Sequence, residues 1–231
     1  MDEETTSDGS DIMASGLAAV IPAFNEARSI QTVVKQVNQR ALTIVVDDGS
    51  TDDTAALARA AGAHVVTHTL NRGYDAALET GLRAALGLGC TFAVTMDADG
   101  QHEPAVLDRF LAEFEAGADL VIGHRDRIQR WSEALFCFVG RVVWGIHDPL
   151  CGMKGYRLAI LTKIANLNTY DSIGTELAVR LIKSGLRAKQ PKIRTRSRNG
   201  TSRFGGGLKA NYKICKALWM GLTQRTTAGS L

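Results

Sequence analysis

Short apolar runs alternate with longer amphipathic stretches along most of the chain. The apolar runs, each followed by polar or turn-forming residues, predict buried β-strands over 17–22, 43–46, 63–67, 92–96 and 120–123. The stretches between them place apolar side chains at helical spacing and predict helices over about 28–40, 53–61, 75–88 and 104–115. Strands that alternate with helices of this length form parallel β-α-β units. The pattern therefore predicts an α/β, Rossmann-like, mostly parallel sheet with helices on both faces.

The two ends of the chain differ from this central region. Residues 1–15 are polar, acidic and rich in serine and glycine, which predicts a flexible leader and not a secretory signal. No apolar stretch reaches the ~18–20 residues that a membrane-spanning helix needs. We therefore predict a single α/β domain over 16–207, followed by an amphipathic extension over 208–231.

Composition and charge indicate the kind of domain and the kinds of molecule that this chain binds. A chain of 231 residues with 45% hydrophobic and 22% charged residues suits one globular domain. Its four cysteines are widely spaced without a C-x-x-C pair, so neither a zinc ribbon nor a disulfide framework is indicated. No Asp or Glu follows Glu176, whereas 13 of the 27 Lys and Arg residues do. Such a tail attracts polyanions: a phosphorylated substrate, an anionic membrane or nucleic acid.

Acidic residues stand where a dinucleotide-binding fold would have glycines. The ligand crevice of a parallel α/β sheet lies beyond the carboxyl ends of its strands. Glu26 follows the first predicted strand, Asp47 and Asp48 follow the second, and Asp97 and Asp99 follow the fourth. The chain has neither G-x-G-x-x-G after its first strand nor a G-x-x-x-x-G-K-[ST] sequence. Dehydrogenase and P-loop functions are therefore disfavoured.

The D-A-D sequence at 97–99 predicts a site for a divalent cation. Asp97 and Asp99 occupy alternate positions of an extended strand end, so their carboxylates point to the same side. Gln101, two residues further on, adds a neutral oxygen. Hard oxygen ligands at this spacing suit Mg²⁺ or Mn²⁺, with a bound diphosphate completing the coordination shell.

Asp47 and Asp48 predict a second polar function at the same edge. A turn followed by a helix cap needs only one acid, and Thr51 or Asp52 can supply that cap. Two adjacent acids directly after a buried strand exceed this need. One of them is placed to accept a hydrogen bond from a nucleobase N–H or a ribose hydroxyl.

Six motifs in a fixed order carry a family resemblance. They are V-I-P-A-F-N-E at 20–26, V-V-D-D-G-S-T-D at 45–52, N-R-G-Y at 71–74, D-A-D-G-Q-H at 97–102, D-P-L-C-G-M-K-G-Y-R at 148–157 and G-T-S-R-F-G at 200–205. Together they resemble glycosyltransferase family 2, with its GT-A fold, over about 17–207. The last two resemble the dolichol-phosphate mannose synthase branch of that family. Asp75 departs from the pattern, because the family usually has a second glycine there.

The resemblance implies an inverting, metal-dependent transfer of a sugar from a nucleotide diphosphate to a polyprenyl phosphate. It favours GDP-mannose as the donor, with UDP-glucose or another UDP-sugar as the alternative. It assigns the nucleoside to Pro22, Phe24, Glu26 and one of Asp47 and Asp48. It assigns the metal and diphosphate to Asp97, Asp99 and Gln101, and phosphate contacts during transfer to Arg125 and Arg203.

Two amphipathic stretches indicate how such an enzyme reaches a lipid. Residues 131–146 and 208–222 both carry tryptophan on a broad apolar face, and lysines flank the second. Basic amphipathic helices of this kind lie in a membrane interface, although an amphipathic helix also packs on its own domain. We therefore predict peripheral attachment to the cytoplasmic face of a membrane. Whether a separate membrane-anchor protein takes part stays open.

Two rival functions remain from the sequence. A family 2 enzyme that acts on a soluble or saccharide acceptor needs an Asp or Glu as general base, and the expected position reads D-P-L-C-G at 148–152. A nucleic-acid-binding protein would explain the basic tail. However, the chain has no helix-turn-helix, zinc or RNA-binding signature, so we predict no nucleic acid partner.

Overall fold

The computed structural model describes residues 15–126, 130–164, 167, 175–194 and 207–223. Its strands are β1 (Leu17–Ala23), β2 (Leu42–Asp47), β3 (His64–Thr67), β4 (Phe92–Thr95), β5 (Leu120–Ile122), β6 (His124–Arg125), β7 (Lys154–Arg157), β8 (Ala188–Lys189) and β9 (Lys192–Ile193). Its helices are α1 (Ile30–Val37), α2 (Thr54–Ala60), α3 (Tyr74–Gly87), α4 (Val106–Glu115), α5 (Trp131–Trp144), α6 (Leu158–Leu161), α7 (Glu176–Lys183) and α8 (Gly207–Thr223).

Seven strands form the central sheet, in the order β3-β2-β1-β4-β7-β5-β8. The five predicted strands are present, and β1 pairs in parallel with both β2 and β4. Their apolar runs are buried because helices cover both faces, with Ile30 of α1 and Phe110 of α4 on one side and Leu82 of α3 on the other. The predicted α/β, Rossmann-like, mostly parallel sheet is confirmed.

One strand of this sheet runs against the others. β7 lies antiparallel between β4 and β5, with Thr95 opposite Lys154 and Val121 opposite Gly155. Gly155 is required there, because a Cβ at this position would lie 2.7 Å from the Phe114 ring. The sequence K-G-Y-R has no apolar run, so hydrophobic patterning did not predict this strand.

The topology gathers the polar loops at one edge of the sheet. The carboxyl ends of β1, β2, β3 and β4 open on this edge because these strands are parallel. The antiparallel β7 begins there, so the loop that precedes it joins the same edge. The short parallel pair of β6 and β9 lies beyond β5 and places His124 opposite Lys192.

Several predicted features lie outside the described residues. They include Arg203 and the surrounding G-T-S-R-F-G motif, and residues 1–14 of the predicted leader. Within the described ranges, no helix combines the length and hydrophobicity that crossing a membrane requires.

Candidate functional site

Hydrogen bonds tie the loop after β1 to the loop after β2. Asn25 adopts a left-handed conformation (φ 56°), which asparagine tolerates better than most residues. Its backbone N–H donates to Ser50 Oγ (2.9 Å), and its side-chain Oδ1 accepts from the Thr51 N–H (2.8 Å). The Glu26 N–H donates to Thr54 Oγ1 (2.8 Å). These bonds fix one rim of the site and leave the Phe24 ring 46% exposed beside it.

Asp47 and Asp48 are both buried, but their carboxylates have different surroundings. Asp48 accepts from the backbone N–H groups of Arg72 (2.9 Å) and Gly73 (2.8 Å), and it lies 2.7 Å from His68 Nδ1. Asp47 Oδ1 accepts from the Ser50 N–H at 3.3 Å. Since an ionised carboxylate offers about four acceptor positions, Asp47 retains more capacity for a ligand than Asp48 does.

The D-A-D turn lies beside the N-terminus of α3 and the loop before β7. Asp99 Oδ1 accepts from the Gln101 N–H (3.1 Å), which closes the turn. The Tyr74 hydroxyl donates to Asp97 Oδ1 (3.3 Å), and His102 Nε2 lies 3.7 Å from Asp97 Oδ2. The turn therefore holds the predicted oxygen ligands Asp97, Asp99 and Gln101 within one short segment.

The chemistry of these ligands fits Mg²⁺ or Mn²⁺. Two carboxylates and an amide supply only hard oxygen atoms. Gly152 packs against this cradle, because a Cβ there would lie 2.6 Å from Asp97 Oδ2. Among the described residues, no three His, Cys, Asp or Glu side chains are grouped so that they could hold a metal ion by themselves. An ion here would need further oxygen ligands, and magnesium sites commonly take these from substrate phosphates.

Arg125 lies in a buried network of charges. Its guanidinium donates two hydrogen bonds to the Asp148 carboxylate, from Nε to Oδ2 (2.7 Å) and from Nη2 to Oδ1 (3.0 Å). Nη2 also lies 3.4 Å from Glu133 Oε2, and Glu133 is paired with Arg130 (3.1 Å). The Cys137 thiol contacts Asp148 Oδ1 at 3.8 Å. Arg125 and Cys137 thus both connect helix α5 with Asp148 in the loop before β7.

This network shifts the pKa values of the groups around it. Burial would lower the pKa of the Arg125 guanidinium, but Asp148 more than offsets this and raises it. Burial, reinforced by the Asp148 charge, raises the pKa of the Cys137 and Cys151 thiols to about 12. Both cysteines are therefore neutral near pH 7 and are not nucleophiles.

Lys154 is a buried cation that the sequence interpretation did not single out. Its Nζ donates to the Cys151 carbonyl, and burial lowers the pKa of its ammonium group. The negative charges of Asp148 and Asp97 offset part of this effect. Lys154 therefore places a buried amino group against the Cys151 carbonyl, in the loop before β7.

The structure brings most of the predicted site residues to one edge of the sheet. Two contacts at that edge were missed: Tyr74 touches Asp97, and His68 touches Asp48. His68 directly follows β3, so listing every polar residue that follows a strand would have found it, whereas Tyr74 is the first residue of α3 and its contact depends on tertiary structure. Glu133 and Lys154 carried no such signal, because their roles depend on tertiary contacts.

Comparisons with known proteins identify the family of this chain. Residues 18–132 match Glycosyl transferase family 2. The chain is 33% identical over 227 residues to polyprenol monophosphomannose synthase of Mycolicibacterium smegmatis, covering 85% of this chain and 84% of that protein. It is 31% identical over 231 residues to undecaprenyl-phosphate mannosyltransferase of Micrococcus luteus, covering 89% and 94%.

A solved structure shows the same fold. Glucosyl-3-phosphoglycerate synthase from Mycobacterium tuberculosis, in complex with Mn²⁺, UDP-glucose and phosphoglyceric acid, superposes with a TM-score of 0.71 at 19% identity. The match covers 98% of this chain and 87% of that one. Fold, motif order and full-length similarity agree, and we conclude that this chain is a glycosyltransferase that belongs to Glycosyl transferase family 2.

Proposed function

We propose that this enzyme transfers a hexose, with mannose favoured, from a nucleotide diphosphate to a polyprenyl phosphate. The donor sugar and acceptor follow the two relatives whose names state a mannosyl transfer to polyprenol or undecaprenyl phosphate. The observation that supports a polyprenyl phosphate, and not a saccharide, as the acceptor is the pairing of Asp148 with Arg125. This carboxylate stands where a saccharide-acceptor enzyme would need its general base.

On the donor side, we assign the nucleoside to Pro22, Phe24, Glu26 and Asp47. Phe24 offers an exposed aromatic face for the base, and Asp47 offers a buried acceptor for a base N–H or a ribose hydroxyl. Asp48 has less capacity for this role, because it already accepts two backbone N–H groups and contacts His68.

At the centre, we propose that Asp97, Asp99 and Gln101 would hold a Mg²⁺ or Mn²⁺ ion. Such an ion neutralises the charge that develops on the departing diphosphate. Tyr74 and His102 orient Asp97 from either side, and the Gln101 N–H orients Asp99. The protein thereby holds its ligands before the donor arrives, which reduces the cost of ordering them.

On the acceptor side, the chemistry needs no strong base. A polyprenyl phosphate is already an anionic nucleophile at neutral pH, whereas a sugar hydroxyl must lose a proton. Both oxygens of the buried Asp148 carboxylate already accept hydrogen bonds from the Arg125 guanidinium, so this carboxylate is not presented to an acceptor hydroxyl. We assign Arg125 and Arg203 to the approaching phosphate, since arginine's planar fork matches phosphate geometry.

Matched acceptors test this proposal directly. The enzyme is incubated with Mn²⁺ and GDP-mannose or UDP-glucose, together with a short polyprenyl phosphate, the corresponding polyprenol or a free sugar. We expect glycosylated lipid from the phosphate alone, and a faster reaction with GDP-mannose than with UDP-glucose. Equal transfer to the alcohol or the sugar would contradict the acceptor class, and faster transfer from UDP-glucose would contradict only the mannose assignment.

We also propose that the enzyme works as a peripheral protein on the cytoplasmic face of a membrane. Helices α5 and α8 pack together, and Ser132 Oγ donates to Asn211 Oδ1 between them (2.7 Å). Ile214 and Leu218 of α8 are buried, whereas Trp219 is 69% exposed and Phe138 of α5 is 67% exposed. The helix pair thus packs on the domain through one face and presents aromatic side chains on another, which favours insertion into a membrane interface.

Sedimentation with anionic vesicles tests this attachment. We expect the protein to pellet with vesicles at low salt and less at high salt, because salt screens its basic residues from the anionic lipid. The variant Phe138→Ser/Trp219→Ser should pellet less than the native chain. Leu88→Ser, which changes an exposed leucine at the end of α3, is the matched control and should pellet like the native chain. If the native chain stays in the supernatant at both salt concentrations, these helices do not attach the protein to a membrane.

A further inference from the structure

His68 connects the residue that follows β2 to helix α3 beside the candidate site. It follows β3, is buried, and lies with Nδ1 2.7 Å from Asp48 Oδ1 and Nε2 2.9 Å from Thr80 Oγ1. Two backbone N–H groups already donate to the Asp48 carboxylate, so this group acts as an acceptor and His68 Nδ1 carries the proton. The imidazole therefore links the end of β2 to Thr80 of α3.

The loop over 70–73 rests on this pair. The Asp48 carboxylate accepts the N–H groups of Arg72 and Gly73, and Gly73 has a φ of 89° as the chain turns into α3. Gly49 lies directly against the same loop, because a Cβ there would be 2.7 Å from the Asn71 nitrogen. The position of the loop is thus set by backbone contacts that depend on the orientation of the Asp48 carboxylate.

The next residue of the chain reaches the metal-ligand turn. Tyr74 follows Gly73 and donates its hydroxyl hydrogen bond to Asp97 Oδ1. A continuous path of contacts therefore runs from His68 through Asp48 and Gly73 to Tyr74 and on to Asp97. A carboxylate held in this way keeps its geometry when a cation and a diphosphate approach.

We propose that His68 is a positioning residue for sugar transfer. By donating to Asp48, it fixes the carboxylate that holds the loop over 70–73, and this loop sets Tyr74 against the metal ligand Asp97. The inference rests on the proposed function, because it takes Asp97 as a ligand of the donor-bound cation. A merely structural histidine would contribute to stability and would leave metal dependence unchanged.

Three substitutions of His68 distinguish the contribution of its Nδ1 from that of its Nε2. In the same side-chain orientation, the amide nitrogen of His68→Asn takes nearly the place of Nδ1 and keeps the donor to Asp48. The amide of His68→Gln reaches nearly the place of Nε2, so it keeps a partner for Thr80 and loses the donor to Asp48. His68→Leu removes both.

The readouts are kcat, the Mn²⁺ concentration for half-maximal rate, KM for the acceptor, and Tm. We expect His68→Gln and His68→Leu to lower kcat about tenfold and to require several times more Mn²⁺, as outer contacts of metal ligands do. His68→Asn should stay within about twofold of the native enzyme in both quantities, and KM for the acceptor should not change in any variant. Equal rates for the Asn and Gln variants, or losses that follow Tm alone, would overturn the proposal.

Calorimetry keeps this test independent of the acceptor. Binding of GDP and of UDP is measured with and without Mn²⁺ for the native chain and the three variants. We expect Mn²⁺-dependent nucleotide binding to weaken in the Gln and Leu variants and to persist in the Asn variant. A native enzyme that binds nucleotide but transfers no sugar to polyprenyl phosphate would contradict the proposed function. The Mn²⁺-dependent nucleotide binding of the three variants would still test the role of His68.

Discussion

Asp99→Asn should lower the rate of sugar transfer by ~10²-fold or more while leaving the protein folded. Asparagine retains an Oδ1 that accepts the Gln101 N–H, so the turn at 97–101 keeps its hydrogen bond. What the substitution removes is the negative charge that a divalent cation requires from its ligand. The effect should therefore appear in kcat and in the Mn²⁺ requirement, with thermal unfolding close to that of the native chain.

Asp108→Asn is the matched control for this substitution. Asp108 lies on α4, is exposed, and pairs only weakly with Arg40 at 3.2 Å, so its loss should change neither rate nor metal requirement. Excess EDTA should abolish transfer by the native enzyme, and added Mn²⁺ should restore it. Native rates in Asp99→Asn, or in EDTA, would remove the metal from the mechanism.

The fold could be predicted because its central strands are buried on both faces. Such strands are largely apolar runs, as at Leu17–Ala23 and Leu42–Asp47. These runs can be recognised in the sequence without knowing which strands pair with them. β7 was missed for the opposite reason. Its residues 154–157 alternate between charged, small and aromatic side chains, and the strand is defined by pairing with β4 and β5 across more than thirty residues of chain.

In the site too, the residues that were predicted depend on local sequence patterns, and those that were missed depend on contacts between distant segments. Asp97 and Asp99 are only two residues apart, so their closeness follows from the sequence alone. The predicted extended strand end is wrong, because β4 ends at Thr95 and the two aspartates lie in the turn that follows it. The contact of His68 with Asp48 joins two strand ends, and its hydrogen bonds could not be predicted from either segment. Arg125 was predicted from its motif to contact phosphate, and its pairing with Asp148 was not foreseen.

The amphipathic pattern of helix α8 does not determine whether its apolar face packs on protein or on lipid. The predicted stripe includes Leu218, which is buried against the domain, and Trp219, which is exposed one residue later. Hydrophobic spacing identifies which residues avoid water but does not say whether protein or lipid replaces it. Only the packing of α8 on α5 assigns Ile214 and Leu218 to the protein side.

Asp148→Ala should destabilise the protein by about 3 kcal/mol, since removing one member of a buried ion pair leaves the other charge uncompensated. Arg125 cannot lose its proton to escape this cost, and Glu133, at 3.4 Å, replaces only part of the lost interaction. Urea unfolding measures the change. Asp119→Ala is the control, because Asp119 pairs with the more exposed Arg157 and Arg187 at 3.6 and 3.5 Å and should cost no more than about 1 kcal/mol.

The double variant Arg125→Met/Asp148→Leu separates the structural role of Arg125 from its proposed contact with phosphate. Removing both charges leaves neither unpaired, so the double variant should recover much of the stability that Asp148→Ala loses. It should nevertheless transfer sugar at least ~10²-fold more slowly than the native enzyme, because the Arg125 guanidinium is then lost from the proposed contact with the acceptor phosphate. If turnover returns together with stability, Arg125 serves the fold alone, and the acceptor phosphate is bound by other cations.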